Sequence, residues 1–439
     1  MLGGGTFLTQ NKVLPGAYIN FVSAHRANIA LGDRGYVAMP IELDWGAEEE
    51  IITCDVADFQ KESLKLFGYD FTDRKMLRLR ELFKGAKTAY LMRTNIGGEK
   101  AKVVHGDLTV TAKHSGIRGN DIRVVIGANV DAPSSFDVTT YMGDTKVDIQ
   151  TGATIAELKP NDFVVFSGSG AITATAGATL QGGTNKTTVK GAYTTFLDKI
   201  ESYAVNIIAY AGTDESVKSL FVEFVKRMRD AHGIKMQAVL YKKSDADYEG
   251  IISLDTAAKG EDVVESDLIY WIAGKEAGVN INRSLVNVKY DGELALEVNY
   301  KQRELEQAIK SGKVVLHKVG DAIRVLDDIN TFVSFTKDKN EDFAQNQIIR
   351  ILDQDAIETA KIFNERYLGK VNNDHAGRIA LWADYVALGE ELQRIGALTE
   401  FKSEDIKVEI GSSKNAVLVE KRIKPVVAMT KLYVTVIVE

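Results

Sequence analysis

The chain has 439 residues, about three times an average domain, so it must build several cores. Its 45% hydrophobic and 26% charged content excludes disordered, fibrous and disulfide-scaffold classes. A net charge of −7 argues against a surface made to grip nucleic acid, and the single cysteine, Cys54, permits neither an internal disulfide nor a cysteine-based metal cluster.

The chain opens MLGGGTFLTQNKVLPG, without the basic and apolar regions of a signal peptide, and no stretch approaches a membrane span. After Pro15–Gly16, the run Ala17–Ser23 reads as a short strand. A further strand is expected at Tyr36–Met39, then two helices capped by Asp55 and Asp73, the first carrying Phe59, Leu64 and Phe67, the second Leu77, Leu79 and Leu82. From Ala101 to Asn185 the texture changes to Thr, Gly, Val and Asp, with strands at Leu108–Ala112, Ile122–Ile126, Phe136–Tyr141 and Phe163–Phe166. This predicts a separate β-sandwich closed by a surface hairpin over Ala171–Asn185.

The apolar run Ala204–Tyr210, a helix from Asp214 through Met228, and the run Gln237–Tyr241 form a strand–helix–strand unit. A doubly covered sheet is expected to about Leu326, with helices at Leu268–Ala277 and Arg303–Ser311 in its covering layers. Two strong helices follow at Glu341–Leu368 and Ala376–Ile395, then a strand at Asp405–Ile410. The last run, Val426–Val438, is the strongest β signal in the chain.

The residues offer little chemistry. His25, His105, His114, His232, His317 and His375 include no pair at i, i+3 or i, i+4, so they predict no helical metal site. The Gly-rich stretches Ser115–Asn120 and Gln181–Asn185 lack the Lys and Ser or Thr of a phosphate loop and read as turns, as does Phe166–Gly170. The nearest approach to an enzyme is a hydrolase using Asp214, His232 and Ser244. A baseplate or receptor-binding module using the sandwich is the other alternative.

Four segments carry a resemblance: Asn11–Phe21 (NKVLPGAYINF), Ser115–Ile122 (SGIRGNDI), Leu180–Thr184 (LQGGT) and Arg324–Thr331 (RVLDDINT). In this order they resemble the tail sheath proteins of contractile-tailed phages and phage-tail-like bacteriocins of Gram-positive bacteria. The resemblance implies an α+β multidomain chain: a subtilisin-like α/β domain, an outward β-sandwich insertion, and an inner domain formed by both chain ends with terminal β-strand arms. The implied divisions are an N-terminal arm at 1–25, an inner α/β segment at 26–100 and the sandwich at 101–186. The α/β sheath domain follows at 187–328, an inner helical domain at 329–415 and the arm strand at 416–439. No catalytic residue, cofactor or metal is implied. The expected partners are copies of the chain itself, a tail tube protein, and baseplate and terminator proteins, in a virion tail or tailocin assembled in a bacterial host cytoplasm. Subunit interlocking is expected through Tyr18, Ile19, Phe21 and Val22 at one end and Leu432, Tyr433, Val434, Val436 and Val438 at the other. Strands that lack a partner in their own chain are suited to adding to a neighbour's sheet.

Overall fold

The computed structural model describes residues 31–438. They form two compact units, residues 33–357 with 426–438, and residues 358–425 with 31–32.

In the larger unit β1 (Tyr36–Ile41) is buried from Val37 onward, the continuous apolar run of a strand covered on both faces. β2 (Ile51–Asp55) leads into α1 (Val56–Phe67), which Asp55 caps by accepting a hydrogen bond from the Asp58 N–H. Asp73 caps a 3-10 turn that continues into α2 (Leu77–Leu82), and β3 (Thr88–Arg93) follows.

The chain then makes β4 (Lys102–His105), β5 (Leu108–Ala112), β6 (Ile122–Ala128), β7 (Phe136–Met142), β8 (Thr145–Gly152), β9 (Val164–Ser167) and β10 (Thr175–Thr179). These form a three-stranded sheet, β4-β5-β9, and a four-stranded sheet, β10-β6-β7-β8, around a common core. The hairpin expected over Ala171–Asn185 is not there: this segment supplies one strand, β10, to the edge of β6. Its small and β-branched residues find a partner in an existing sheet, which a lone two-stranded hairpin would lack. Lys102 and Gln181 exchange both backbone hydrogen bonds (2.8 and 3.0 Å), so the segment leaves and returns at one place. Its core is closed from outside by Trp45, fully buried and stacked on Phe163 with ring centroids 6.1 Å apart. Replacing 104–179 with a short Gly linker should therefore leave the remaining sheet folded, while exposing Trp45 and Leu64 lowers its stability by about 2–4 kcal/mol. Loss of the cooperative unfolding transition, followed by circular dichroism, would refute this.

The remaining elements of the larger unit are α3 (Lys190–Ile200), β11 (Ile207–Tyr210), α4 (Glu215–Lys226), β12 (Gln237–Tyr241), β13 (Ile251–Leu254), β14 (Ala258–Lys259) and α5 (Leu268–Gly278). Then come β15 (Ala295–Leu296), α6 (Gln302–Lys310), β16 (Lys313–Val314), β17 (Leu316–Val319), β18 (Ala322–Val325) and the start of α7 (Asn346–Ile362). One seven-stranded sheet, β16-β13-β12-β11-β1-β3-β2, organises them, parallel throughout except at β2. Val37, Met39 and Ile41 point into a core with α1, α2 and α5, whereas Ala38 points into the opposite core with α3 and α4. Close packing of α5 on the end of α2 rests on glycine: a Cβ on Gly274 would stand 2.1 Å from the Leu82 carbonyl oxygen.

The segment expected as an inner α/β division at 26–100 contributes to this sheet. Residues 33–100 fall in the larger unit and supply β1, β2 and β3 to the central sheet, with Val37 and Ala38 in register with Ile207 and Ile208. A strand apolar on both faces needs a place inside a covered sheet, and β11 provides it. The sandwich thus interrupts one α/β body.

The helix expected over Glu341–Leu368 is a 3-10 turn at Glu341–Ala344, α7, and a π-helical turn at Phe363–Tyr367. In the smaller unit α8 (His375–Arg394) is capped by Asp374, whose carboxylate accepts from the Gly377 N–H at 2.8 Å. β19 (Ile406–Ile410) and β20 (Val417–Lys421) pair antiparallel, and the Trp382 indole N–H donates to the Ile406 carbonyl.

Candidate assembly interface

Tyr18, Ile19, Phe21 and Val22 lie outside the described residues. The C-terminal residues are described, and the strand expected over Val426–Val438 is not formed there. A strand needs a ladder partner, and among the described residues this segment has none. Its apolar side chains face solvent: Leu432 is 87% exposed, Tyr433 89%, Val434 70%, Val436 78% and Val438 90%. Five large apolar groups in one short segment cannot be explained as scattered surface residues.

The root of this arm is held. Gln347, buried in the first turn of α7, donates from Nε2 to the Val426 carbonyl (3.2 Å) and accepts from the Ala428 N–H through Oε1 (3.0 Å). The helix carrying Gln347 is itself fixed by buried polar groups. Arg350 donates to Glu276 Oε2 and to Asp328 Oδ2, both at 2.6 Å, and to the Arg283 carbonyl at 3.0 Å. Asn346 donates to the Ile329 carbonyl (2.9 Å), and Asp353 accepts both terminal nitrogens of Arg229, at 2.6 and 2.9 Å. Burial pushes the Glu276 carboxyl up, and the neighbouring Asp328 carboxylate adds to the effect. Burial also opposes the charge on Asp328, but Arg350 and the Leu285 N–H hold it below the usual carboxylate range.

The sequence reading missed this ladder. Asn346, Arg350 and Asp353 recur at the spacing of a buried helix stripe, and that periodicity was the available signal.

In the smaller unit the β19–β20 pair is a bare two-stranded ribbon with no third strand among the described residues. Ile410 and Leu418 on it are more than half exposed. Beside it a cleft of about 400 Å³ is lined by Tyr367, Val371, Arg378, Leu381, Lys414 and Val417, among others.

The hydrolase alternative fails on geometry. Asp214 spends its carboxylate capping α4, accepting from the N–H groups of Ser216 and Val217. His232 follows the π-helical turn Arg227–Ala231 at the other end of the same helical run, about 25 Å away at 1.5 Å per residue. No acid–base pair can form across that distance.

Comparison with known proteins agrees with the architecture. Four phage tail sheath domain families match in chain order: the tail sheath protein Gp18 domain III N-terminal region at 34–93, the β-sandwich domain at 92–185, the central domain at 187–331 and the C-terminal domain at 338–439. The phage-like element PBSX protein XkdK of Bacillus subtilis is 32% identical, with 99% of each chain covered. This chain belongs to the phage tail sheath family. The crystal structure of a sheath tail protein from Desulfitobacterium hafniense matches with a TM-score of 0.84 at 37% identity, covering 95% of this chain and 99% of that one. A sheath tail protein from Listeria innocua matches at 0.79 and 33%, covering 90% and 93%. The helical sheath of the anti-feeding prophage, in its contracted state, shares the fold at 12% identity and a TM-score of 0.57, covering 97% and 99%. As a sheath family member, the chain is a structural subunit of a contractile tail, and the residues worth attention are those that join one sheath subunit to the next.

Proposed function

We propose that the chain polymerises helically around a tail tube made of a different protein and shortens to drive that tube through a bacterial envelope. In this reading the C-terminal arm leaves its own subunit and adds, as a strand, to the free edge of the β19–β20 ribbon of a neighbouring copy. The N-terminal arm, with Tyr18, Ile19, Phe21 and Val22, makes a second link of the same kind. The carrying observation is that, among the described residues, one chain carries both an exposed apolar arm without a strand partner and an exposed two-stranded ribbon without a third strand. Such a head-to-tail contact that does not close on itself produces an open helix.

The finer expectations belong to the same proposal. The α/β body has subtilisin-like topology. The unit carrying α8 lies inward, with α7 and α8 as the candidates for tube contact, and the sandwich lies outward. Baseplate and terminator proteins bound the polymer at its two ends, in a tail or tailocin assembled in the host cytoplasm. Electron microscopy of the chain co-expressed with its tube protein should show long helical sheaths with residues 101–186 on the outside. Monodisperse subunits at high concentration, or a sandwich lying against the tube, would overturn the proposal.

A further inference from the structure

We propose that Gln347 is the positioning residue of the C-terminal arm: its side-chain amide replaces a strand neighbour at residues 426–428 and so fixes where and in which direction the arm leaves the subunit. The inference rests on the arm-exchange reading above and adds a device to it. A carbonyl and the N–H two residues further on are the two groups that one residue of a parallel strand bonds in its neighbour. Gln347 bonds those groups, the Val426 carbonyl at 3.2 Å and the Ala428 N–H at 3.0 Å.

The amide is buried, and its helix turn cannot shift because Asn346 and Arg350 on either side of it are locked into the body. Beyond Ala428 no backbone hydrogen bond among the described residues holds the arm. A flexible arm loses backbone entropy when it docks, and fixing its root beforehand removes part of that cost.

Only a group that both donates and accepts can make this contact. In Gln347→Glu the carboxylate still accepts from Ala428 but sets an oxygen against the Val426 carbonyl, and protonation restores the donor. Gln347→Met keeps the shape without either bond. Ala428→Pro removes the N–H from the arm, at an exposed position where folding is not at stake. With unchanged thermal unfolding, all three variants should raise the critical concentration for sheath polymerisation by about tenfold at pH 7.5. Relative to wild type at each pH, only Gln347→Glu should recover as the pH falls toward 5. Hydrogen exchange at Ala428 in the unassembled subunit should accelerate in Gln347→Met. Polymerisation of Gln347→Met and Ala428→Pro at wild-type concentration overturns the inference, whether or not Ala428 exchange changes; so does a Gln347→Glu defect that ignores pH. Should a chain lacking Val426–Glu439 assemble normally, the arm-exchange reading itself fails, which separates the two ideas.

Discussion

Deleting Val426–Glu439 should give soluble, folded subunits that do not polymerise. The deleted residues are almost wholly exposed and add nothing to the cores, so the unfolding transition should stay close to wild type. Assembly loses more. An arm strand that makes about five backbone hydrogen bonds at about 1 kcal/mol each holds its neighbour by on the order of 5 kcal/mol before side-chain burial. Links of that size can persist while larger contacts between bodies break and re-form, which keeps the lattice connected as it shortens. Sedimentation of the truncated chain with its tube protein checks this, and contracting sheaths in the pellet would show the arm to be dispensable.

The second large effect is on folding. Arg350→Met should destabilise the larger unit by about 3–5 kcal/mol, because the buried Glu276 and Asp328 would lose the guanidinium that both pair with. That is a large share of the 5–15 kcal/mol typical of a folded domain. Glu276→Gln is the informative contrast. It keeps a hydrogen-bonding oxygen for Arg350 and removes a charge that burial and Asp328 already disfavour, so it should change stability by less than about 1 kcal/mol. Urea denaturation monitored at the first transition distinguishes the two. Equal losses for both substitutions would mean that the Arg350 side chain matters for its volume and not for its charge.

Much of this fold was legible because its elements are periodic. The apolar runs at Tyr36–Met39, Ala204–Tyr210 and Gln237–Tyr241 became buried strands, and Asp55 and Asp73 cap helical turns as read. Pairing across the insertion was not legible. β1 meets β11 on the far side of the sandwich in sequence, and nothing local to Val37 or Ala38 announces that partner.

The motifs behind the family resemblance have structural reasons. Asn120 and Gly183 exchange two hydrogen bonds (2.9 and 2.7 Å) that join the lead-in Ser115–Ile122 to the return Leu180–Thr184. In Arg324–Thr331, Asp328 receives Arg350, Asn330 donates to the Phe343 carbonyl, and Thr331 bonds the backbone of Tyr248. The arm was read as a strand to be paired by a neighbouring copy; in the single subunit it forms no strand, since β propensity describes a residue's preference and a ladder requires a partner. Gln347 gave no signal, because a polar residue in an amphipathic helix ordinarily faces solvent.

The most direct test of the assembly account is a helical reconstruction of the sheath at a resolution that traces the backbone. The account predicts that residues 429–438 of each subunit are hydrogen-bonded as an added strand to β19 or β20 of a neighbouring copy, with residues 426–428 still held by their own Gln347. An arm that instead pairs within its own subunit, or that lies unpaired on the surface of the polymer, would contradict it.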